Sequence, residues 1–367
     1  MLGSASTLPH VRRIAGIVLA VLLIGGVVAA VVAGRDNEDK GTATKTVRMV
    51  IGSEKAEFFA DPDVVKALAA KGYTVKAETS GSWAMEGLGL KGYDLAFPSS
   101  QAPAVELAKK YGVTQTLQRP FYSPLVVVAH RNAATVLAAN GLATLDEHRG
   151  TLKMAAYLDA ARQDRTWQQL KGAEKYGELT GTLYIASTDP ESSNSGALYL
   201  AAASYVANSG RVVASAADVD RTAPLMRKLI GVQGAQQAGT DAAFRDFVSG
   251  AGNPLVLVYE SQVAALLGEG QNPGDLVVLY PDTTVNSDHT VVPLTDDGRA
   301  LGELLSTDPR LRKLAVRHGF RPQGAGAEFA SADADRGAYL NQGLTGVRQA
   351  PVPTSAVLHE LARRARG

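Results

Sequence analysis

The strongest constraint on the fold is a series of short apolar, β-branched runs, four of which end in a small hydroxylated turn. Such runs occupy residues 46–52 (TVRMVIG), 73–79 (YTVKAET), 93–99 (YDLAFPS), 124–130 (PLVVVAH), 182–188 (TLYIAST), 254–260 (PLVLVYE) and 275–281 (DLVVLYP). Helical patterns lie between them. One runs over 62–70, with Asp61 as N-cap and Pro62 at the first helical position, and others cover 102–111, 195–208, 222–230 and 241–249. Two amphipathic stretches, 297–305 and 309–318, follow a further strand-like run at 289–294. The run 124–130 lacks alternation, which predicts a strand buried on both faces. Strands alternating with helices predict an α/β chain with a largely parallel sheet, and 367 residues suffice for about two such units.

Composition narrows the functional classes. With 46% hydrophobic residues and 37 Lys+Arg against 36 Asp+Glu, the chain is neither disordered nor basic enough for a nucleic-acid partner. Cysteine is absent, which removes disulfides, thiolate metal sites and lipid attachment. Part of the apolar content is one block. Residues 14–34 (IAGIVLAVLLIGGVVAAVVAG) are 21 consecutive uncharged residues, which as a helix span about 30 Å, the thickness of a bilayer core. Arg12 and Arg13 precede it and Asp36, Glu38 and Asp39 follow it. The positive-inside rule then predicts a single-pass transmembrane helix in the cell membrane. Residues 1–13 would be cytoplasmic, 35–45 a tether, and the bulk of the chain extracellular. A cleaved signal peptide is the competing reading; the length of the apolar block favours an anchor that stays.

Four strand ends carry the chemistry. The richest is 185–200, IASTDPESSNSGALYL, where a strand enters a hydroxyl-rich turn that opens a helix. The first N–H groups of a helix have no intrahelical partner, so such a junction binds anions or polar groups. Helix capping alone explains an isolated run of this kind; its density of Ser, Thr and Asn points further. Similar ends occur at 51–55, 79–83 and 97–101, where open α/β sheets place their ligands. Enzyme templates fail: G-x-S-x-G, P-loop, H-E-x-x-H and S-x-x-K are missing, so no enzyme activity is expected. His10, His130, His148, His289, His318 and His359 lack ligand spacing, and neither a metal nor another cofactor is expected. Asp61/Asp63 and Asp218/Asp220 fit helix capping, and Trp83 suits either ligand stacking or core packing. Ser355 caps a last helix, 356–366, whose Val357, Leu358 and Leu361 form one apolar edge and whose basic end fits its own helix dipole.

The segments TVRMVIGSEK, GYDLAFPSS, ASTDPESSNSGALYL, PLVLVYESQ and LLSTDPRLRKLAVRHGFRP, in this order over 46–322, resemble type 2 periplasmic or extracellular solute-binding proteins. The similarity is to the molybdate, sulfate and phosphate receptor branch. It implies a two-lobed type 2 periplasmic-binding-protein fold, two α/β lobes joined by two crossing strands. Lobe one would be 46–122 and 285–322, lobe two 123–284, and 323–367 a C-terminal extension. Carried onto this chain, the ligand contacts are Ser53, Ser82, Ser99 and Ser100 in lobe one and Ser192, Ser193, Asn194, Ser195 and Tyr259 in lobe two. The implied function is capture of a small polar or anionic solute, with an ABC transporter permease as partner. The alternative is an anchored extracellular sensor or interaction domain with a protein partner. Glu54, Asp189, Glu191 and Glu260 add negative charge around the cleft and count against a doubly charged anion.

Overall fold

A computed structural model describes residues 44–268, 274–332 and 336–367. The apolar block 14–34 and nearly all of the tether lie outside the described residues. Among the described residues, no helix is long and apolar enough to cross a membrane.

Lobe one begins with β1 (Lys45–Ile51), which pairs in parallel with both β2 (Tyr73–Thr79) and β3 (Leu95–Phe97). Helix Pro62–Ala69 connects the first two; Asp61 caps it, accepting from the N–H groups of Asp63 and Val64. Next comes β4 (Gln118–His130), long enough to belong to both lobes. In lobe two follow the hairpin β5 (Ala143–Asp146) and β6 (Arg149–Leu152), then β7 (Leu255–Tyr259) and β8 (Leu276–Pro281). The chain returns through β9 (Thr283–Thr284) and β10 (Asn286–Pro293), and closes with β11 (Arg321–Pro322) and β12 (Arg348–Gln349).

The first half of β4 pairs with β10 and β11, and its second half lies between β7 and β8. All four pairings are antiparallel. The lobe-two sheet is therefore mixed, not largely parallel as expected. The reason is directional: β4 runs outward from the junction between lobes, whereas β7 and β8 run back towards it. Burial of β4 on both faces follows the sequence expectation. Leu125, Val127 and Ala129 join one apolar cluster, and Val126 and Val128 join another on the opposite face.

The apolar run 182–188 does not become a strand. It makes two isolated bridges, Thr182 opposite Thr166 and Ala186 beside Val256, and side chains take donors between and beyond them. Ile185 N–H donates to the Tyr157 hydroxyl and Ser187 N–H to Gln233. Residues 323–352 are rich in Gly, Ala and Pro, yet the described residues of the C-terminal extension hold regular elements. They form a helix at Gly326–Ala332, the strand β12 parallel to β9, and a helix at Ser355–Arg366. That last helix buries Leu358, Leu361, Ala362 and Ala365 against helix Ala216–Gly231.

Where the lobes meet, Arg321 and Glu260 form a buried two-pronged ion pair, at 2.6 and 2.8 Å, and Arg321 also donates to the carbonyls of Asn341 and Gln342. The Tyr280 hydroxyl donates to the same carboxylate. Such a pair stabilises only while both partners are present. Arg321→Met is expected to cost about 3–5 kcal/mol in urea unfolding, and the double variant with Glu260→Leu to recover part of that loss.

Candidate functional site

Each lobe-one strand delivers its hydroxyls to the same place. β1 ends in Gly52 and a 3-10 turn, Ser53–Lys55; β3 ends in Ser99 and Ser100, ahead of helix Gln101–Lys110. Ser82, after β2, donates from its hydroxyl to Ser99 Oγ at 3.1 Å and accepts from Ser99 N–H at 2.9 Å. A side chain at Gly52 would put its Cβ 2.2 Å from Ser99 Oγ, so the turn requires glycine. From lobe two, Ser193 is the N-cap of helix Asn194–Ala207, yet its side chain makes no capping bond. Its hydroxyl lies 3.2 Å from Ser195 Oγ, which in turn lies 2.7 Å from Thr188 Oγ1.

Of the nine expected ligand contacts, Ser53, Ser82, Ser99, Ser193, Asn194, Ser195 and Tyr259 line one interlobe cavity. Ser100 sits beside it and donates to Asn194 Oδ1 across the lobe boundary. Ser192 turns away, its hydroxyl donating to Asp189; its carbonyl accepts from Trp83 and Ala84 N–H, both at 3.2 Å. Trp83 is buried in the apolar packing between lobes rather than in the cavity. The cavity measures about 10 Å³, room for about one water. Past Ser53 and Glu54 it adjoins a chamber of about 540 Å³, walled by Phe58, Phe244 and Phe320 with Asp241 and Gln262 at its polar side.

Several site residues escaped the sequence reading. Ser287 on β10 accepts from Asn194 Nδ2 at 3.0 Å and donates to the Ser99 carbonyl, tying both lobes to the return strand. Gly239 and Thr240 bring a second helix N-terminus, that of Thr240–Val248, to the same cavity. Thr240 is buried, and its hydroxyl has no partner among the described residues. A polar residue inside a return strand and a glycine at a helix start carry little sequence signal.

Beneath the cavity lies a buried charged cluster. Lys55 Nζ contacts Glu54 Oε1 at 2.5 Å, His289 Nδ1 at 3.0 Å and Ser99 Oγ at 3.3 Å. Burial pushes the Glu54 carboxyl up, but Lys55 and His289 together hold it well below the usual carboxylate range. Burial lowers the Lys55 ammonium, and the Glu54 charge offsets part of that. His289 is lowered to about 4, by burial first and then by the Lys55 charge, so it is neutral at pH 7. Burial and then the Glu54 charge raise both the Tyr259 phenol and the Asp241 carboxyl.

The acids expected to repel an anion are all paired with cations. Glu54 is matched by Lys55, Glu260 by Arg321, and Asp189 and Glu191 by Arg366 at 3.1 and 2.9 Å. Asp189 and Glu191 share that single arginine, so the electrostatic objection to an anionic ligand is weakened by these pairs.

Two α/β lobes gripping a hydroxyl-lined cavity between them define a solute-binding protein of the periplasmic type. Residues 47–321 match the model of the bacterial extracellular solute-binding protein family, and the chain belongs to it. No curated protein matches the sequence. Among solved structures, the sulfate-binding protein SubI of Mycobacterium tuberculosis shares 18% identity at a TM-score of 0.54, over 86% of this chain and 96% of that one. A periplasmic thiamin binding protein shares 14% at 0.55, over 88% and 97%. AfuA of Actinobacillus pleuropneumoniae, with fructose-6-phosphate bound, shares 12% at 0.55, over 88% and 97%. At these identities the likeness establishes the two-lobed α/β fold.

His289 yields a pH prediction. Its folded value lies below the unfolded one of about 6.5, so the unfolded chain binds the proton more readily between the two. The stabilisation is complete above pH 6.5 and is lost as pH falls towards 4, by about 3 kcal/mol at most. The melting temperature should fall over that window, and His289→Gln should flatten the slope.

Proposed function

We propose that this chain is a membrane-anchored extracellular receptor that captures a small polar or anionic solute between its lobes for an ABC-type importer. The observation that carries this reading is the convergence of uncapped helix N-termini on one hydroxyl-lined cavity. Helices Asn194–Ala207 and Thr240–Val248 start at the cavity and helix Gln101–Lys110 starts beside it, and none of their N-cap residues, Ser193, Gly239 and Ser100, makes a side-chain capping bond. Each such terminus presents free N–H donors and the positive end of a helix dipole. Serine, threonine and asparagine add neutral donors, which replace the water shell of an anion without a full countercharge. The adjoining chamber gives room for the rest of a solute larger than an oxyanion. Residues 14–34 supply the anchor in this reading, in place of a lipid on a cysteine the chain does not have.

The test is a thermal-shift and calorimetric panel of sulfate, molybdate, phosphate, sugar phosphates, amino acids and thiamin. A true ligand at 100 times its Kd is expected to add about 2.7 kcal/mol of stability. A panel in which no solute shifts the melting temperature would remove the reading. Ser99→Ala and Ser193→Ala should each weaken a binding solute roughly tenfold. Gly81 supplies a further check, since a Cβ there would lie 2.4 Å from the Ser192 carbonyl of the opposite lobe. Gly81→Ala should lower affinity by obstructing closure while leaving each lobe folded.

A further inference from the structure

The family match ends at residue 321, yet the chain continues into a helix, Ser355–Arg366, that touches both lobes. Its hold on lobe two is broad. Leu358, Leu361, Ala362 and Ala365 are buried in the lobe-two cluster, Arg364 pairs with Asp220 at 2.9 Å, and Arg366 pairs with Asp189 and Glu191. Those last two acids lie in the loop that leads into the cleft helix Asn194–Ala207.

Its hold on lobe one is narrow and specific. The His359 ring meets Trp83 edge-on, with centroids 4.5 Å apart. Trp83 follows Ser82 directly, is 6% exposed, and belongs to the same apolar cluster as Leu358 and Leu361. Its backbone N–H is bonded to Ser192 of lobe two. Helix Gln101–Lys110 of lobe one also lies against the C-terminal helix. Just before that helix, Val352–Ser355 face Gln101 and Val105 across a shared groove. Trp83 is thus a lobe-one side chain seated in a lobe-two socket, and the C-terminal helix forms one wall of that socket.

We propose that the C-terminal extension is a clasp that favours the closed arrangement of the lobes and slows exchange of the bound solute. The inference rests on the solute-capture reading for its purpose, though not for its mechanics. Contacts of the helix with lobe two are independent of lobe separation. Those with Trp83 and helix Gln101–Lys110 are made only when the lobes meet. An element that binds one arrangement better than the other shifts the population by that difference. An edge-on aromatic pair of this kind is worth about a three- to tenfold change in the closed-to-open ratio.

The cysteine-free chain makes the test direct. Exposed Lys76 in lobe one and Lys175 in lobe two are replaced by cysteine in the full chain, and the spin-labelled pair is measured by double electron–electron resonance without any solute. His359 is exposed, so His359→Ala leaves the docked apolar edge intact. The expected result is a gain in longer interlobe distances, about three- to tenfold in open population. Trp83→Ala removes that contact together with the rest of the socket packing and should give a shift at least as large. Unchanged distances in both variants overturn the clasp. A shift with Trp83→Ala alone also overturns it, because the socket would then be closed by lobe two without the C-terminal helix. Neither outcome depends on whether a solute is found, so failure of the clasp and failure of the binding reading remain distinguishable.

Discussion

Everything in this structure depends on the pairing of β4 with β10. Phe121, Tyr122, Ser123 and Pro124 face His289, Asp288, Ser287 and Asn286 in antiparallel register where the chain passes between lobes. Alternate residues of β10 share a face, which puts Ser287 and His289 on one side of the strand. Ser287 bonds Asn194 of lobe two and the Ser99 carbonyl of lobe one, while His289 bonds Lys55. The junction between lobes is therefore wired into the site by side chains as well as by the ladder.

Charge is handled by local cancellation. Glu54 and Glu260 each find a cation in nearly dry surroundings, and Asp189 and Glu191 share Arg366. A buried pair of this kind contributes little net stability against an apolar alternative. What it does here is leave the cavity close to neutral, so that oriented N–H groups and hydroxyls dominate the local field.

The hydroxylated strand ends were legible because each follows an apolar run whose length marks where a strand must stop. Ser99, Ser193 and Asn194 stand at such ends, Tyr259 came from the family resemblance, and all four line one cavity. Ser287, Thr240 and Lys55 were not, since their roles arise only when distant segments close on one another. The run 182–188 was misread for a related reason: Tyr157 and Gln233, remote in sequence, take the donors a ladder would have used. For the C-terminal helix, the apolar edge of Val357, Leu358 and Leu361 was visible in the sequence. Its docking site on helix Ala216–Gly231 was not, because a single edge does not name its partner.

Helix Asn194–Ala207 is enclosed almost throughout, with every residue from Asn194 to Ser204 buried. Its first turn cannot shift without displacing the lobe-two core, whose close packing resists deformation. The lobe-one contribution comes instead from short turns at the ends of three strands. The two jaws thus differ in compliance: one acts as an anvil and the other adjusts. Variation in the turns of lobe one is consequently the less costly route by which a scaffold of this kind changes the shape it accepts.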